Sequence, residues 1–212
     1  LIDEQIKRWE MEKKPPVPVE RKISVITISR ESGSSGYEVA KTLCRETGFD
    51  LFHNEIVNAM VETSKSSRKL LETLDEKGMN VVDDVVSHFI NTHHLWPDDY
   101  SKLLFKILNT ISKHGRAVIL GRGANFIIEG REIFRVRIVA PLQFRQNHIG
   151  KTKDLNRENA YRYITYTDSN RSAFVKRYCN CDIADSSNYD LVLNTGTFSV
   201  EKAVQIIMNA IN

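Results

Sequence analysis

The segment from Ser29 to Gly36 is rich in small residues and has the composition of a phosphate-binding loop. Small side chains let the backbone wrap closely enough for several N–H groups to point at one anion. A β-branched segment precedes this loop and a helical apolar pattern follows it, so a helix dipole would also favour an anion there. The residues predicted to bind the phosphates of a nucleotide are Ser32, Gly33, Ser34, Ser35, Gly36 and Tyr37.

The loop departs from the pattern G-x-x-x-x-G-K-[ST] at the positions that carry charge. If Gly36 is the second glycine, Glu31 stands at the first glycine and Tyr37 stands at the lysine. Glu38 then takes the place of the hydroxyl residue that binds Mg²⁺. The loop therefore lacks its standard cation, and arginines elsewhere in the chain must neutralise the phosphates.

Three other interpretations of this loop stay open. It can be a tight Gly/Ser turn without a ligand. A dinucleotide-binding fold needs G-x-G-x-x-G, of which residues 33–36 and 121–123 each supply only a fragment. An RNA-binding KH domain places a G-x-x-G loop between two helices, whereas a strand pattern precedes the loop here.

Apolar patterning predicts the elements that position the loop. Short β-branched or alternating segments predict five strands, at residues 23–29, 49–53, 117–120, 134–138 and 190–193. Helical patterns fall between them, and such alternation predicts a mostly parallel sheet with helices on both faces. With the loop, this predicts an α/β fold of the P-loop NTPase type, a three-layer sandwich.

Two regions are predicted to lie outside this basic alternation. Residues 54–114 carry helical apolar stripes and lack strong strand signals, which predicts a helical insertion, with Gly78 and Pro97 as breaks. Pro141 is expected to begin a helix, because its missing N–H costs nothing there. Residues 150–180 are rich in Arg, Asn, Asp and Tyr, and we expect two helices around a mobile turn.

The first 22 residues are predicted to form a separate appendage to a domain over residues 23–212. Residues 1–14 have the pattern of a short charged helix with an apolar side, and the prolines after it favour an extended linker. Such a helix packs back on the domain or meets a partner, and a homodimer through it is one expectation.

Composition limits the class of protein. The chain has 212 residues, 41% of them hydrophobic and 27% charged, which suits one globular α/β domain with an insertion. A formal net charge of +3 fits a phosphate-bearing ligand and does not demand nucleic acid. There is no apolar run of membrane-spanning length and no signal pattern, and the three cysteines are expected to be reduced. We expect a soluble cytoplasmic protein without nucleic-acid or membrane partners.

Four segments together resemble the cytidylate kinase-like family, a branch of the nucleoside monophosphate kinases. They are ITISRESGSSGYEVAKTL, AVILGRGANFII, RVRIVAPLQFR and DSSNYDLVLNTG, in the family's order and at workable spacing over residues 22–211. The resemblance implies transfer of a phosphoryl group from ATP, with Mg²⁺, to a nucleoside monophosphate. CMP or dCMP is the first candidate for this acceptor. Tyr37 departs from kinases at large, and Gly123 replaces the acid of the family's Gly-Arg-Asp segment.

The resemblance also implies roles for individual residues. Arg122 would hold the acceptor phosphate, and residues 150–180 would form a lid over the phosphates. Arg171 would stabilise the transferring group, and Asp168, three residues away, would share its helix face. The implied catalytic residues are Arg171, Arg162 and Arg177, and the implied substrate-binding residues are Arg122, His53, Asp168 and Asp190.

Other interpretations of these residues and of the whole chain stay open. The arginines of the lid region can belong to a solvated basic helix with local ion pairs, and Asp190 can pair within the last strand. The chain can be a nucleotide-binding regulatory protein that lost phosphoryl transfer, which Tyr37 and Glu38 would explain. It can also be a kinase of another small metabolite. No set of metal ligands at suitable spacing is present in the sequence.

Overall fold

The computed structural model describes residue 7 and residues 23–74, 76–95, 97–130 and 132–211. Apart from Lys7, which is helical, the expected N-terminal helix and its linker lie outside the described residues. The separate appendage and the homodimer through it therefore stay predictions.

One parallel sheet forms the centre of the described protein. Its strands are β1 (Val25–Arg30), β2 (Asp50–His53), β3 (Ala117–Leu120), β4 (Ile133–Val139) and β5 (Leu191–Asn194). Their order across the sheet is β2-β3-β1-β4-β5, and every pairing is parallel. The carboxyl ends of β1 and β3 are therefore neighbours, and the loops that follow them open onto the same edge, where ligands of such sheets bind.

Nine α-helices lie within the described residues. They are α1 (Gly36–Thr47), α2 (Asn54–Glu62), α3 (Ser64–Glu72), α4 (Glu76–Thr92), α5 (Asp99–His114), α6 (Ala124–Ile127), α7 (Leu142–Lys153), α8 (Arg157–Cys179) and α9 (Val200–Ile211). None of these helices combines the length and the apolar composition that a membrane span requires.

Apolar side chains cover both faces of the sheet and make three layers. On one face, Ile26 and Ile28 of β1 pack with Leu43 of α1 and Ile207 of α9. On the other face, the strands pack against the helical insertion α2–α5, α6 and the end of α8. The β-branched residues of β1 thus contribute side chains to the apolar cores on both faces of the sheet. The predicted P-loop-type sandwich of five strands is confirmed.

Element ends differ from the sequence-based expectations in small ways with physical causes. β1 continues to Arg30, because this residue pairs in parallel register with Ile138. Gly78 does not break the insertion but lies in the first turn of α4, because a single glycine costs a helix only about 1 kcal/mol relative to alanine. Pro141 caps α7 instead of occupying its first helical position.

His114 at the end of α5 makes the stability of the insertion depend on pH. Its Nε2 lies 2.6 Å from Oγ1 of Thr73, and burial lowers the pKa of His114 to about 4. In the unfolded chain a histidine titrates near ~6.5. At pH values between these two pKa values, His114 is therefore protonated in the unfolded state and neutral in the folded state.

We expect the free energy of unfolding to fall as the pH drops from about 6.5 towards about 4, and this contribution to level off below that. Urea denaturation at several pH values measures the slope. The variant His114→Gln should have a shallower slope than the wild type over the same range, because glutamine does not titrate. Identical slopes would show that His114 is not the responsible group.

Candidate active site

The phosphate loop closes β1 and opens α1 through two residues in the left-handed conformation. Gly33 has φ +80° and Ser35, the N-cap of α1, has φ 55°. The Ser35 side chain makes no capping hydrogen bond, and the N–H groups of the first helical turn have no partner within the helix. The loop therefore places backbone N–H donors and the Ser35 hydroxyl, which makes no capping bond, at the N-terminus of α1.

Hydrogen bonds and close packing fix this loop against neighbouring elements. The Ser34 hydroxyl donates to the carbonyl of Glu31 at 2.9 Å, and Oγ1 of Thr195 donates to the carbonyl of Ser34 at 2.7 Å. A β-carbon at Gly33 would lie only 2.7 Å from the carbonyl oxygen of Arg145 on α7. Glycine is thus required at position 33 both for its φ and for the approach of α7.

The loop forms one wall of a cleft of about 470 Å³, here named the loop cleft. Residues 35–38 line it on one side, and His148 and Lys153 of α7 line it on the other. Tyr37, at the lysine position of the usual pattern, is 48% exposed, and its ring lies edge-on to that of His53 at 6.3 Å between centroids. Five of the six predicted phosphate-binding residues line this cleft together with His53. The sixth, Ser34, is fully buried, and its N–H and hydroxyl both donate to the carbonyl of Glu31.

A second cleft of about 540 Å³, here named the arginine cleft, lies between the end of β3 and α8. Arg122 lines it from the β3 side, and Asn170 and Phe174 line it from α8. Arg30 and Arg171 line this cleft and the loop cleft as well. The two clefts are therefore continuous, with guanidinium groups at their junction.

Arg122 is held in place by three elements. Its φ of 55° is left-handed, a conformation that costs a residue with a β-carbon about 1 kcal/mol. Its Nε donates to Oδ1 of Asn58 on α2 at 2.8 Å, and its guanidinium lies 5.1 Å from the ring centroid of Phe174. Backbone strain held by surrounding contacts is typical of ligand sites, and here it directs a cation into the arginine cleft.

The helix α8 is bound to the phosphate loop through Asp168 and Arg171. Oδ1 of Asp168 accepts a hydrogen bond from the N–H of Ser32 at 2.7 Å, and Oδ2 accepts one from Nη1 of Arg145 at 2.6 Å. Nη1 of Arg171 donates to the carbonyl of Arg30 at 3.0 Å. Both carboxylate oxygens of Asp168 are thus taken up by protein groups, and its contact with a substrate stays a prediction.

Arg145 is the member of this network that the sequence interpretation did not single out. Only 13% of its side chain is exposed, and its Nε donates to the carbonyl of Ala140 at 3.0 Å. It is the last residue of the third family-like segment, RVRIVAPLQFR, and this position is the sequence signal that could have marked Arg145 as a candidate site residue. Its distance of 2.6 Å to Asp168 comes from packing of α7 on α8 and has no signature in sequence spacing.

The junction of the clefts is electrostatically unfavourable without an anion. Burial, together with the charges of Arg171 and Arg122, lowers the pKa of Arg30 to about 9, against a smaller opposing effect of Asp168. Burial also lowers the pKa of Arg171, although Asp168 opposes this. These guanidinium groups stay charged at neutral pH, so an anion bound between them would relieve desolvation and mutual repulsion.

The structure places three predicted site residues away from both clefts. Arg162 is 73% exposed and pairs with Glu158 one turn away, and Arg177 is 70% exposed and lies 3.6 Å from a carboxylate oxygen of Asp98. Asp190 accepts a hydrogen bond from the N–H of Arg135 at 2.7 Å, which joins the start of β5 to β4. Catalytic or substrate contacts of these three residues stay predictions, and in this conformation each has a local structural partner.

Comparison with known proteins agrees with this geometry. Residues 25–197 match the family model described as the cytidylate kinase-like family. Cytidylate kinases from Pyrococcus horikoshii and Methanocaldococcus jannaschii are 30% and 29% identical to this chain over 102 and 105 residues, each covering 48% of it. These matches span 52% and 59% of the two relatives, so the chain covers little more than half of their lengths.

A solved structure is similar over nearly the whole fold. The crystal structure of an uncharacterized protein from Eubacterium ventriosum gives a TM-score of 0.70 at 23% identity, covering 90% of this chain and 98% of that one. At this identity the likeness concerns the fold, whereas the family match covers most of the chain and includes the phosphate loop and the segment of Arg122. The chain belongs to the cytidylate kinase-like family.

Proposed function

We propose that this protein transfers the γ-phosphoryl group of ATP to a nucleoside monophosphate, with CMP or dCMP as the first candidate acceptor. The observation that carries this proposal is the pair of continuous clefts, one containing the phosphate loop and the other Arg122. Two substrates bound in them would meet at the shared guanidinium groups. The names of the relatives, both cytidylate kinases, support the acceptor class.

ATP would bind through its phosphates to the loop. The backbone N–H groups around Ser34, Ser35 and Gly36 would surround an anion, and the α1 dipole would add to the attraction. Mg²⁺ bound with ATP would neutralise part of the phosphate charge, and such ions take few protein ligands beside phosphate oxygens and water. The Ser35 hydroxyl, which lines the loop cleft and makes no capping bond, is the protein oxygen suited to it.

The acceptor phosphate would bind to Arg122 in the arginine cleft. A guanidinium group matches the spacing of phosphate oxygens and stays charged. Asn58 and Phe174 fix the orientation of Arg122 before any ligand binds. Such preorganisation lowers the cost of binding, because little side-chain freedom remains to be lost.

Arg171 would stabilise the group in transfer. Phosphoryl transfer needs positioning and charge neutralisation more than covalent help from the protein. Arg171 lines both clefts, and its bond to the carbonyl of Arg30 keeps it at their junction. We propose that α7 and α8, which flank the loop cleft, act as the lid over the phosphates.

Two departures from the family pattern each favour an alternative function. Tyr37 at the lysine position favours a nucleotide-binding regulatory protein without transfer. Gly123, where the family has an acid, favours a kinase that acts on another small phosphate acceptor. A panel that contains nucleoside monophosphates and other small phosphate-accepting metabolites separates these candidates.

We expect ATP turnover to ADP that depends on an added nucleoside monophosphate, with CMP or dCMP most active in a panel. Coupled ADP detection measures turnover, and a thermal shift with ATP measures binding independently. Binding without turnover on any acceptor would support the regulatory protein. Absence of any nucleotide-dependent shift would contradict every nucleotide-based candidate.

Substitutions in the two clefts should affect different constants. Arg122→Ala should raise the acceptor KM by about 10- to 100-fold with little change in the Kd of ATP, since it removes charge-assisted hydrogen bonds. Arg171→Ala should lower kcat by about a hundredfold, as loss of a group that acts in the transition state does.

Steady-state kinetics with both substrates varied, beside calorimetric titration of ATP, distinguish these effects. Arg45→Ala on the outer side of α1, where the side chain is 74% exposed, is the matched control and should leave all constants unchanged. Equal losses of ATP affinity in Arg122→Ala and Arg171→Ala would contradict the assigned roles.

A further inference from the structure

The loop cleft has no lysine at the position where related phosphate loops carry one. We propose that Arg30, the last residue of β1, replaces this lysine and that its guanidinium binds the phosphoryl group passing between donor and acceptor. The inference rests on the proposed function and adds a catalytic residue to it. Tyr37 would then be free of any role in charge neutralisation.

The path of the Arg30 side chain is the first observation behind this inference. A β-carbon at Gly36, in the phosphate loop, would lie 2.6 Å from Cβ and 2.9 Å from Cγ of Arg30. A β-carbon at Gly121, just before Arg122, would overlap Nη1 of Arg30. The side chain therefore passes from the phosphate loop to the end of β3, through space that two glycines leave open.

The position of the guanidinium is the second observation. Arg30 lines both the loop cleft and the arginine cleft, so its charged end lies where ATP and the acceptor would meet. The lysine of a usual phosphate loop extends from the helix after the loop, whereas Arg30 approaches from the strand before it. The same region of the site can thus receive a cation from the opposite end of the loop.

The lack of an ion-pair partner is the third observation. Within the described ranges, no carboxylate lies within 4.0 Å of the Arg30 guanidinium, and no protein acceptor takes a hydrogen bond from it. Arg137 and Arg145, by contrast, are engaged, with Ser29 and with Asp168 respectively. Arg30 is crowded by cations and short of anions, which is the condition that a bound phosphate corrects.

Lys153 is the competing cation. It lines the loop cleft from the end of α7, but its ammonium lies 4.9 Å over the ring of Tyr163 and its side chain is exposed. It does not line the arginine cleft and so reaches only the donor side. Arg30 satisfies both requirements, contact with the loop and contact with the acceptor region.

The step assigned to Arg30 requires no proton transfer. An oxygen of the acceptor phosphate forms a bond to the γ-phosphorus of ATP, while the bond from that phosphorus to the β–γ bridging oxygen breaks and ADP leaves with the electron pair. Arg30 would donate hydrogen bonds to the non-bridging oxygens of the phosphoryl group during its transfer. A fixed cation at this place stabilises the transition state more than either bound substrate.

The decisive experiment compares Arg30→Met, Arg30→Lys and Lys153→Met in two measurements. In the first, Arg30→Met should lower kcat by about a hundredfold or more, Arg30→Lys should recover part of it, and Lys153→Met should lower kcat by about tenfold at most, because Lys153 reaches only the donor side. In the second, calorimetry with inorganic tripolyphosphate should show about tenfold weaker binding for Arg30→Met and a smaller loss for Lys153→Met.

A further variant and a folding control keep the outcome clear. Gly121→Ala retains every charge but displaces the Arg30 guanidinium, so it should weaken tripolyphosphate binding and lower kcat in the direction of Arg30→Met. Circular dichroism spectra identify any variant that loses its fold. Binding and kcat near wild-type values in Arg30→Met, or a larger loss in Lys153→Met than in Arg30→Met, would overturn the proposal.

The two proposals fail in distinguishable ways. If the wild type binds tripolyphosphate but shows no turnover with any acceptor, the proposed kinase function fails. The tripolyphosphate series still decides whether Arg30 is the cation of the phosphate site. If turnover is present and Arg30→Met retains it, only the role of Arg30 fails.

Discussion

Burial of guanidinium groups at the carboxyl edge of the sheet, with repulsion of Arg30 by Arg171 and Arg122, is the constraint on which the site depends. Arg30, Arg122 and Arg171 line one cleft, and burial disfavours the charged forms of Arg30 and Arg171 there. The fold keeps them there by fixing each group through a different element, because β1, the loop after β3 and α8 all end or pass there. The electrostatic cost is stored in the fold, and a phosphate ligand would relieve it.

Neutral and backbone partners hold Arg122 and Arg171, and the carboxylate of Asp168, whose Oδ1 lies 3.8 Å from Nη1 of Arg171, is shared with other donors. Arg122 bonds to an amide oxygen of Asn58 and lies against Phe174, and Arg171 bonds to a backbone carbonyl. The nearby carboxylate of Asp168 is largely engaged by Ser32 and Arg145. Full ion pairs for every arginine would have satisfied the charges and removed the attraction for phosphate.

Under the proposed function, strand, loop and helix would build an anion site at residues 29–36 without lysine. Its shape comes from Gly33 and Ser35 in left-handed conformations and from hydrogen bonds that tie Ser34 to its surroundings. These features provide directional N–H donors, which recognise an anion by shape. The positive charge comes from outside the loop's helix, which separates two functions that one G-K-[ST] segment usually combines.

The fold and the phosphate loop could be predicted from sequence because their signals are local. β-branched runs, helical periodicity and a small-residue loop occur within single elements, and the strand–loop–helix order followed from them. The partner of Asp168 could not be predicted, because Arg145 reaches it only through packing of α7 on α8. Glu158, the partner of Arg162, lies four residues away, so the alternative of local ion pairs on this helix could be anticipated from spacing. The partner of Asp190, the N–H of Arg135 on β4, is 55 residues away and could not.

Arg30 shows the limit of pattern reading most clearly. In sequence it is one residue of a strand that enters a loop, and its importance comes from the absence of β-carbons at Gly36 and Gly121. Those glycines are 85 positions apart, and only the β3–β1 pairing brings them to the same side chain. Chain topology, and not local composition, therefore determines where the charge of this site lies.

The proposed reaction requires the two clefts to hold donor and acceptor at the same time, with their phosphates in contact. Titration with adenosine and cytidine joined 5′ to 5′ through a pentaphosphate tests this directly, because the compound spans both clefts only if they are continuous. We expect one molecule per chain, bound more tightly than ATP or CMP alone and displaced by either nucleotide. Two molecules per chain, or displacement by ATP but not by CMP, would contradict the account.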